Sequence, residues 1–438
     1  MNNDEILRPA DSVTRRSFMH GAARTLLGLG TMPLLSRLAL AADGTAVASA
    51  PVLGPATARN VIYLYMSGGM SQIDTFDPKP GADTQGPTGA IGTNVDGIQL
   101  SEHFPLLAKQ MDKVALINSM TSNQGAHAQG RYLLHTSYEL RGTIQHPSFG
   151  AWLNKFGGRN NPTLPGHVAI GGSGSITSRG FFESEFAPLP IGDPTKGLAH
   201  SQLAKGVDDK TIDRRLARLK KMNAAFRKKF NNDKVKAYDD IYDEAVKLMR
   251  SSDLAAFDIS QEPDAVRDAY GRDRFGQGCL LARRLVEHDV RFVEVVLDGW
   301  DTHNENFEAM EDKCPVLDRA LTSLLVDLDT RGLLEETLVV VATEFGRTPE
   351  IKIDRNGRDH FPKAFSALLA GGGVRGGMRW GKTDPSGNEV IDDPVSVQDL
   401  NATIGSALGL PLDHTVFSPS GRPFTVAHKG KPVRGIFA

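Results

Sequence analysis

Cysteine is scarce: two residues in 438, Cys279 and Cys314. That excludes a disulfide framework and a cysteine-built zinc site, and leaves open only a single bridge between the two. Charge of either sign is not in surplus: 50 Lys and Arg stand against 52 Asp and Glu, a net of −2. The balance gives no general case for nucleic acid or an acidic membrane surface as partner. Long apolar runs are missing too. The one apolar stretch near the start, "GAARTLLGLGTMPLLSRLAL", is interrupted by Arg24 and Arg37, which argues against a lasting membrane anchor. The glycine-rich "LAGGGVRGG" (369–377) has no following Lys-Ser/Thr, so it is not a phosphate-binding P-loop. No internal repeat is present.

What is there begins with an address. "TRRSFM" (14–19), the mild apolar stretch and the small residues of "ALAADG" together read as a twin-arginine export signal over residues 1–42, with cleavage near Ala41 or Ala42. The other reading, a short amphipathic helix of the mature fold, is disfavoured by Arg15-Arg16-Ser17-Phe18 standing where such a signal needs it. Export makes the periplasm or the exterior the expected location and the export machinery an expected partner. A linker rich in Ala, Gly and Pro covers 43–58.

The remainder, 59–438, reads as one large α/β domain: 40% of the chain is hydrophobic and 23% charged. "RNVIYLYMSGG", "VALINSM", "GHVAIGG", "RFVEVVL", "TLVVVAT" and "AFSALLAGGGV" predict strands. "GCLLARRLVEHDV", "FEAMEDKCPVLDRALTSLLVDLDTRGLL" and "SVQDLNATIGSALGL" predict helices. Strands alternating with helices imply a mostly parallel central sheet covered by helices on both faces. A charged helical insertion is expected at about 205–255. Its cationic face is either a docking surface or a solvated face beside Asp239, Asp240 and Asp243, and the second reading is favoured.

In open α/β sheets ligands bind beyond the carboxyl ends of the strands. Those ends carry Ser71 and Asp74; His127, Arg131 and His135; Asp301 and His303; and Glu344 and Arg347, with Asp359 and His360 shortly downstream. Each has two readings. Asp301-x-His303 is a ligand pair, or Asp301 or Thr302 caps the next helix. Asp359 orients His360, or pairs with Arg358. Glu344 is a ligand or general base, or the ion-pair partner of Arg347. Ser71 is a nucleophile, or caps a turn. Arg131 and Arg347 are candidates to clamp an oxyanion.

The stretches "MSGGMSQIDTFDPKP", "NSMTSNQGAHAQGRYLLHT", "HPSFGAWL", "LLARRLVEHDVRFVEVVLDGWDTHNEN", "TLVVVATEFGRTP", "GRDHFPKAFSALLAGGGVRGG" and "VQDLNATIGSALGLP" resemble the exported bacterial proteins of the domain of unknown function 1501. That family is in turn similar to the alkaline phosphatase and sulfatase superfamily. The resemblance implies an alkaline-phosphatase-like fold with Asp74, Asp301, His303 and His360, and Glu344 in place of the usual Asp, at ligand positions; with Asp359 they make the expected set for a divalent metal (zinc, calcium or magnesium). It implies Ser71 or Thr75 near the nucleophile position, with Ser71, Arg131 and Arg347 as catalytic residues and an anionic phosphate or sulfate ester as substrate. The chain departs from the superfamily pattern at Glu344 and Phe345, which stand where Asp and His are usual. It departs again at Gly68 or Gly69, where an acidic residue is usual. Phe345 cannot coordinate, so the implied two-metal site is altered. The alternative is a non-catalytic binding or assembly protein on the same fold.

Overall fold

The computed structural model describes residues 54–172, 177–199, 201, 208–229 and 244–438. The expected export signal (1–42), residues 43–53 of the expected linker and much of the expected charged insertion lie outside the described residues. Within the insertion, Asp209–Lys229 is helical.

Among the described residues, nine strands form the central sheet. In chain order they are β1 (Asn60–Ser67), β2 (Val114–Thr121), β3 (His167–Ile170), β4 (Leu189–Ile191), β5 (Phe292–Asp298), β6 (Thr337–Ala342), β7 (Phe365–Ala370), β8 (Met378–Trp380) and β9 (Val395–Ser396). Across the sheet they run β8-β2-β7-β6-β1-β5-β3-β4, with β9 also on β2. The antiparallel member is β7, which opposes both β2 and β6; β1 is parallel to β5 and to β6. The fold is thus mixed and mostly parallel α/β.

Side-chain alternation assigns each strand to two cores. Ile62, Leu64 and Met66 of β1 join Val293, Val295, Val339 and Val341 in one cluster, together with Leu280, Leu285, Leu321 and Leu324. These last come from helices Arg274–Glu287 and Asn306–Thr330. Val61, Tyr63 and Tyr65 face the other way, with Phe292, Leu338 and Val340, against Trp152, Leu400 and Ile404. That second layer is built by helices α1 (His127–Thr136), Phe149–Gly157 and Val397–Ala407. Apolar residues on both faces are what parallel strands require, and each fully buried Leu or Val contributes about 1.5–3 kcal/mol. Local chemistry fixes the helix starts: Asp273 accepts from the N–H groups of Phe275 and Gly276, and Ser396 with Asp399 forms a capping box.

The expected strands all form. Several elements were not assigned from the sequence, among them helices Phe149–Gly157 and Asp264–Tyr270 and strands β8 and β9. The segment after β2 is a helix, α1. The short strand β4 extends the sheet at its edge. Cys279 and Cys314 are both buried and free, so the bridge left open between them does not form.

Candidate metal centre

The parallel register brings three strand ends to one edge. Ser67 of β1 lies opposite Asp298 of β5, and Tyr65 opposite Ala342 of β6. The chain therefore delivers Gly68-Gly69, Asp301-x-His303 and Glu344 to the same place. α1 adds His127 and Arg131 from above. A two-residue ladder, Gly346–Arg347 against His360–Phe361, brings in His360.

Asp301 is the hub. Its Oδ2 lies 3.1 Å from His127 Nε2. Its Oδ1 lies 3.3 Å from both His303 Nε2 and His360 Nε2, and accepts from Arg347 Nη2 at 2.6 Å. Each of the three rings turns Nε2 toward this aspartate and has its Nδ1 on an acceptor. His127 Nδ1 meets Glu344 Oε1 at 2.9 Å, His303 Nδ1 meets Asp359 Oδ1 at 3.0 Å, and His360 Nδ1 meets the Gly125 carbonyl at 2.7 Å. An acceptor on Nδ1 assigns the proton to that nitrogen and leaves Nε2 as the free donor of a lone pair. His303 Nε2 and His360 Nε2 are 2.9 Å apart. Donor atoms around a tetrahedral zinc with bonds of about 2.0–2.1 Å sit roughly 3.3 Å from one another.

His127, Asp301 and His360 meet the spacing needed to hold one ion, each offering an atom within 4.8 Å of the others. His127 Nε2 is buried and has no hydrogen-bond partner among the described residues, its approach to Asp301 aside. Two imidazoles and one carboxylate, with a third imidazole adjacent, suit zinc better than calcium or magnesium, which prefer oxygen alone. The residues present therefore fit a divalent ion.

The charge distribution agrees. Burial works to raise the pKa of Asp301, but Arg347 and His127 overcome it and hold the carboxyl well below its ordinary range. The bond to Glu344, with help from Asp301, raises His127. Burial, with Arg347 and His127 nearby, lowers His360 and favours the neutral ring that binds metals.

The other expected site residues fall elsewhere. Glu344, expected as a ligand, is fully buried; it accepts from the Tyr65 hydroxyl at 3.0 Å, the Gly68 N–H at 3.0 Å and Arg131 Nε at 3.4 Å, besides His127. It is the acceptor that orients a ligand. Burial would raise its pKa, yet His127 and the backbone N–H groups hold it low. Its ion-pair partners are His127 and Arg131, and Arg347 pairs with Asp301 instead. Arg347, expected to clamp an oxyanion, is fully buried and also donates to the carbonyls of Gly69 at 2.8 Å and Trp300 at 3.1 Å. It anchors Asp301 rather than facing a ligand. Asp359 orients His303, not His360, and also pairs with Arg355.

Ser71 and Asp74 are not brought to the cluster. Both are fully buried. Asp74 takes Arg358 Nε at 2.8 Å, Asn306 Nδ2 at 2.9 Å and the Ser71 hydroxyl at 2.5 Å. Thr75 donates to the Ser71 carbonyl. Neither Asp301 nor Thr302 caps the helix that begins at Asn306; its N-cap is Glu305, in a left-handed conformation. Phe345 packs beneath the imidazoles, its ring centroid 5.1 Å from His127 and 4.6 Å from His360. Gly69 makes room for it: at φ +82° with the Phe345 ring 2.7 Å from where a Cβ would stand, no side chain fits.

His127, which the sequence reading left out of its metal set, is one of the three residues whose spacing could hold an ion. The spacing of His127, Arg131 and His135, one every four residues, is a helical signal that would have placed it on one face with Arg131.

Residues 58–437 match the family described as "Protein of unknown function (DUF1501)", and the chain belongs to it. Among solved structures, the chain is similar to a protein in the alkaline phosphatase superfamily from Vibrio parahaemolyticus, at 12% identity and TM-score 0.40 over 88% of this chain and 73% of that one. It is similar to the lipoteichoic acid synthase LtaP from Listeria monocytogenes, at 11% identity and TM-score 0.39 over 84% and 77%. It is also similar to the PsFucS1 sulfatase from Pseudoalteromonas sp., at 15% identity and TM-score 0.38 over 80% and 68%. A search of curated proteins gave no match. Likenesses this distant fix neither activity nor ligand; the α/β architecture stands on the strand order itself. Among the described residues no helix is long and apolar enough to cross a membrane.

Proposed function

We propose that the chain is an exported metal-dependent hydrolase of phosphate or sulfate esters, with a single-ion centre at His127, Asp301 and His360. One observation carries the reading: three imidazoles present Nε2 to one aspartate, each with Nδ1 held by an acceptor. A divalent ion bound there would supply Lewis-acid polarisation of the ester and would activate water. The chain's own residues have separate tasks. Arg347 holds Asp301 ionised and in place. Glu344, Asp359 and the Gly125 carbonyl set the ring tautomers. Arg131, paired with Glu344 at 3.4 Å yet with a side chain 34% exposed, is the cation proposed to meet the developing negative charge of an ester oxyanion. The Asp301 carboxylate is 47% exposed, so an ion held there would be reachable by an anionic ester from solvent. The twin-arginine sequence supports export to the periplasm or beyond.

A second reading has its own support. Ser71 is locked against Asp74 and Phe345 fills the floor of the site, so the serine expected as nucleophile does not face the cluster. That favours a binding or assembly protein which holds a metal without turnover. Elemental analysis of the purified full chain and of His360→Ala, followed by an aryl phosphate and aryl sulfate screen, separates the readings. Stoichiometric metal lost in the variant, with turnover that follows the metal, supports the hydrolase. Metal without turnover supports the binding protein. No metal in either protein removes both readings of the cluster as a metal centre.

A further inference from the structure

The stripe on α1 does not stop at the site. His127, Arg131 and His135 follow one another at four-residue spacing and share a helix face. The first two meet Glu344. The third reaches a second buried carboxylate, Glu294, in the middle of β5: His135 Nε2 lies 3.3 Å from Glu294 Oε2. Glu294 is 3% exposed and His135 5% exposed. The Thr177 hydroxyl bonds the same carboxylate at 2.8 Å. His135 Nδ1 is held by the Arg131 carbonyl at 2.8 Å. The His135 ring stands edge-on to Tyr65, centroids 4.7 Å apart, and the Tyr65 hydroxyl bonds Glu344. One buried pair thus touches both the helix that carries His127 and the tyrosine that fixes the acceptor of His127. The far end of the helix is tied separately, by Asn401 Nδ2 to the Leu134 carbonyl at 2.8 Å.

A carboxylate inside an apolar strand is costly unless paired. An ion pair kept only for stability is replaceable by apolar side chains of similar size at little cost. The position of this pair gives it another task. We propose that Glu294 and His135 are positioning residues for the metal centre: they lock the rotation and depth of α1, and so set His127 and Arg131 against Glu344 and Asp301.

The test uses the full chain with Glu294→Leu/His135→Phe, which removes the pair without stranding a buried charge and keeps a ring against Tyr65. Two readouts are taken well below the melting temperature. In metal-free protein, the rate of diethyl pyrocarbonate modification at His127 is followed by mass spectrometry; it is expected to rise several-fold as the ring loses its fixed bonds. In a cobalt titration, affinity is expected to fall about 10- to 100-fold, the range for lost outer-shell partners of a metal site, with an altered d–d spectrum. Should the double variant fail to fold, Glu294→Gln, which keeps the shape and the bond to Thr177, carries the same readouts. Unchanged His127 reactivity in a folded variant overturns the proposal, because a purely structural pair would alter melting alone. The cobalt arm rests on the metal reading. A wild-type chain that takes up no cobalt overturns that reading and leaves His127 reactivity to decide this one.

Discussion

Asp74 and Asp301 look alike in the sequence and do different things in the fold. Both follow the end of a parallel strand, and both pair with a buried arginine. Asp74 is sealed: it is 0% exposed, as is its partner Arg358, and Asn306 and Ser71 take up more of its lone pairs. Asp301 is open: its side chain is 47% exposed, Arg347, His303 and His360 meet its Oδ1, and His127 meets its Oδ2. The difference lies in what remains after the arginine is satisfied. A carboxylate whose remaining partners are amide and hydroxyl donors is a structural anchor. One whose remaining neighbours are imidazole nitrogens has the donor set that a divalent ion would need, as proposed for Asp301.

The comparison is broken most forcefully from the sealed side. Asp74→Ala leaves the Arg358 guanidinium buried without its counter-ion, and is expected to cost about 3–5 kcal/mol of stability, read as a large drop in the urea midpoint. Asp301→Asn is expected to lower the midpoint less, because the Asp301 carboxylate is 47% exposed and water screens its pair with Arg347. Equal losses in both variants would erase the distinction. On the open side the effect is on metal. Asp301→Asn, His127→Ala and His360→Ala are each expected to weaken zinc binding by at least about 100-fold, the upper end of what even an outer-shell loss costs. Isothermal titration with zinc checks this, and Asp74→Asn, where it folds, should leave the affinity unchanged.

Much of this site was legible at the level of strand ends and little at the level of partners. Apolar runs such as "TLVVVAT" are unambiguous, and the rule that ligands sit beyond the carboxyl ends of parallel strands placed Asp301, His303, Glu344 and His360 in one neighbourhood. Pairing across the fold depends on burial, which adjacency in sequence does not encode. Arg358 stands next to Asp359 in the chain yet turns inward to Asp74; Asp359 turns to His303 and Arg355. Glu344 stands three residues before Arg347 yet binds His127 and Arg131. The helical stripe of His127, Arg131 and His135 was readable by its spacing, but Gly125 before it and Gly130 within it weaken the helical pattern. Glu294, a charge within "RFVEVVL", was the other available signal.

The open site should also respond to pH with two opposite slopes. His127 is raised by its bond to Glu344, with Asp301 adding to it. A raised folded-state pKa contributes stability that is complete below the ordinary value of about 6.5 and is lost as pH rises through the folded value. Glu344 is held low, so its contribution is present above the ordinary carboxylate range and is lost as pH falls through its folded value. Metal-free protein should therefore be less stable at pH 8.5 than at pH 6. Zinc binding must displace the His127 proton, so its affinity should rise with pH, by roughly tenfold per unit for each proton released. Melting curves with and without zinc across that range check both slopes. Parallel curves would mean that His127 is not a ligand.

Smaller effects sharpen the boundary between the regions. Asp359→Asn keeps the shape beside His303 but weakens the acceptor on its Nδ1, and should cost about tenfold in zinc affinity, the low end for an outer-shell partner, without moving the urea midpoint by much. Ser71→Ala is the smallest and the most diagnostic of the two regions. The Ser71 hydroxyl spends its proton on Asp74, so its loss should cost about 1 kcal/mol of stability. It should change neither zinc affinity nor the rate of any ester hydrolysis that the metal supports. A collapse of turnover in a folded Ser71→Ala chain would move Ser71 from the sealed region into the chemistry, and would require the Asp74 pair to open during the reaction.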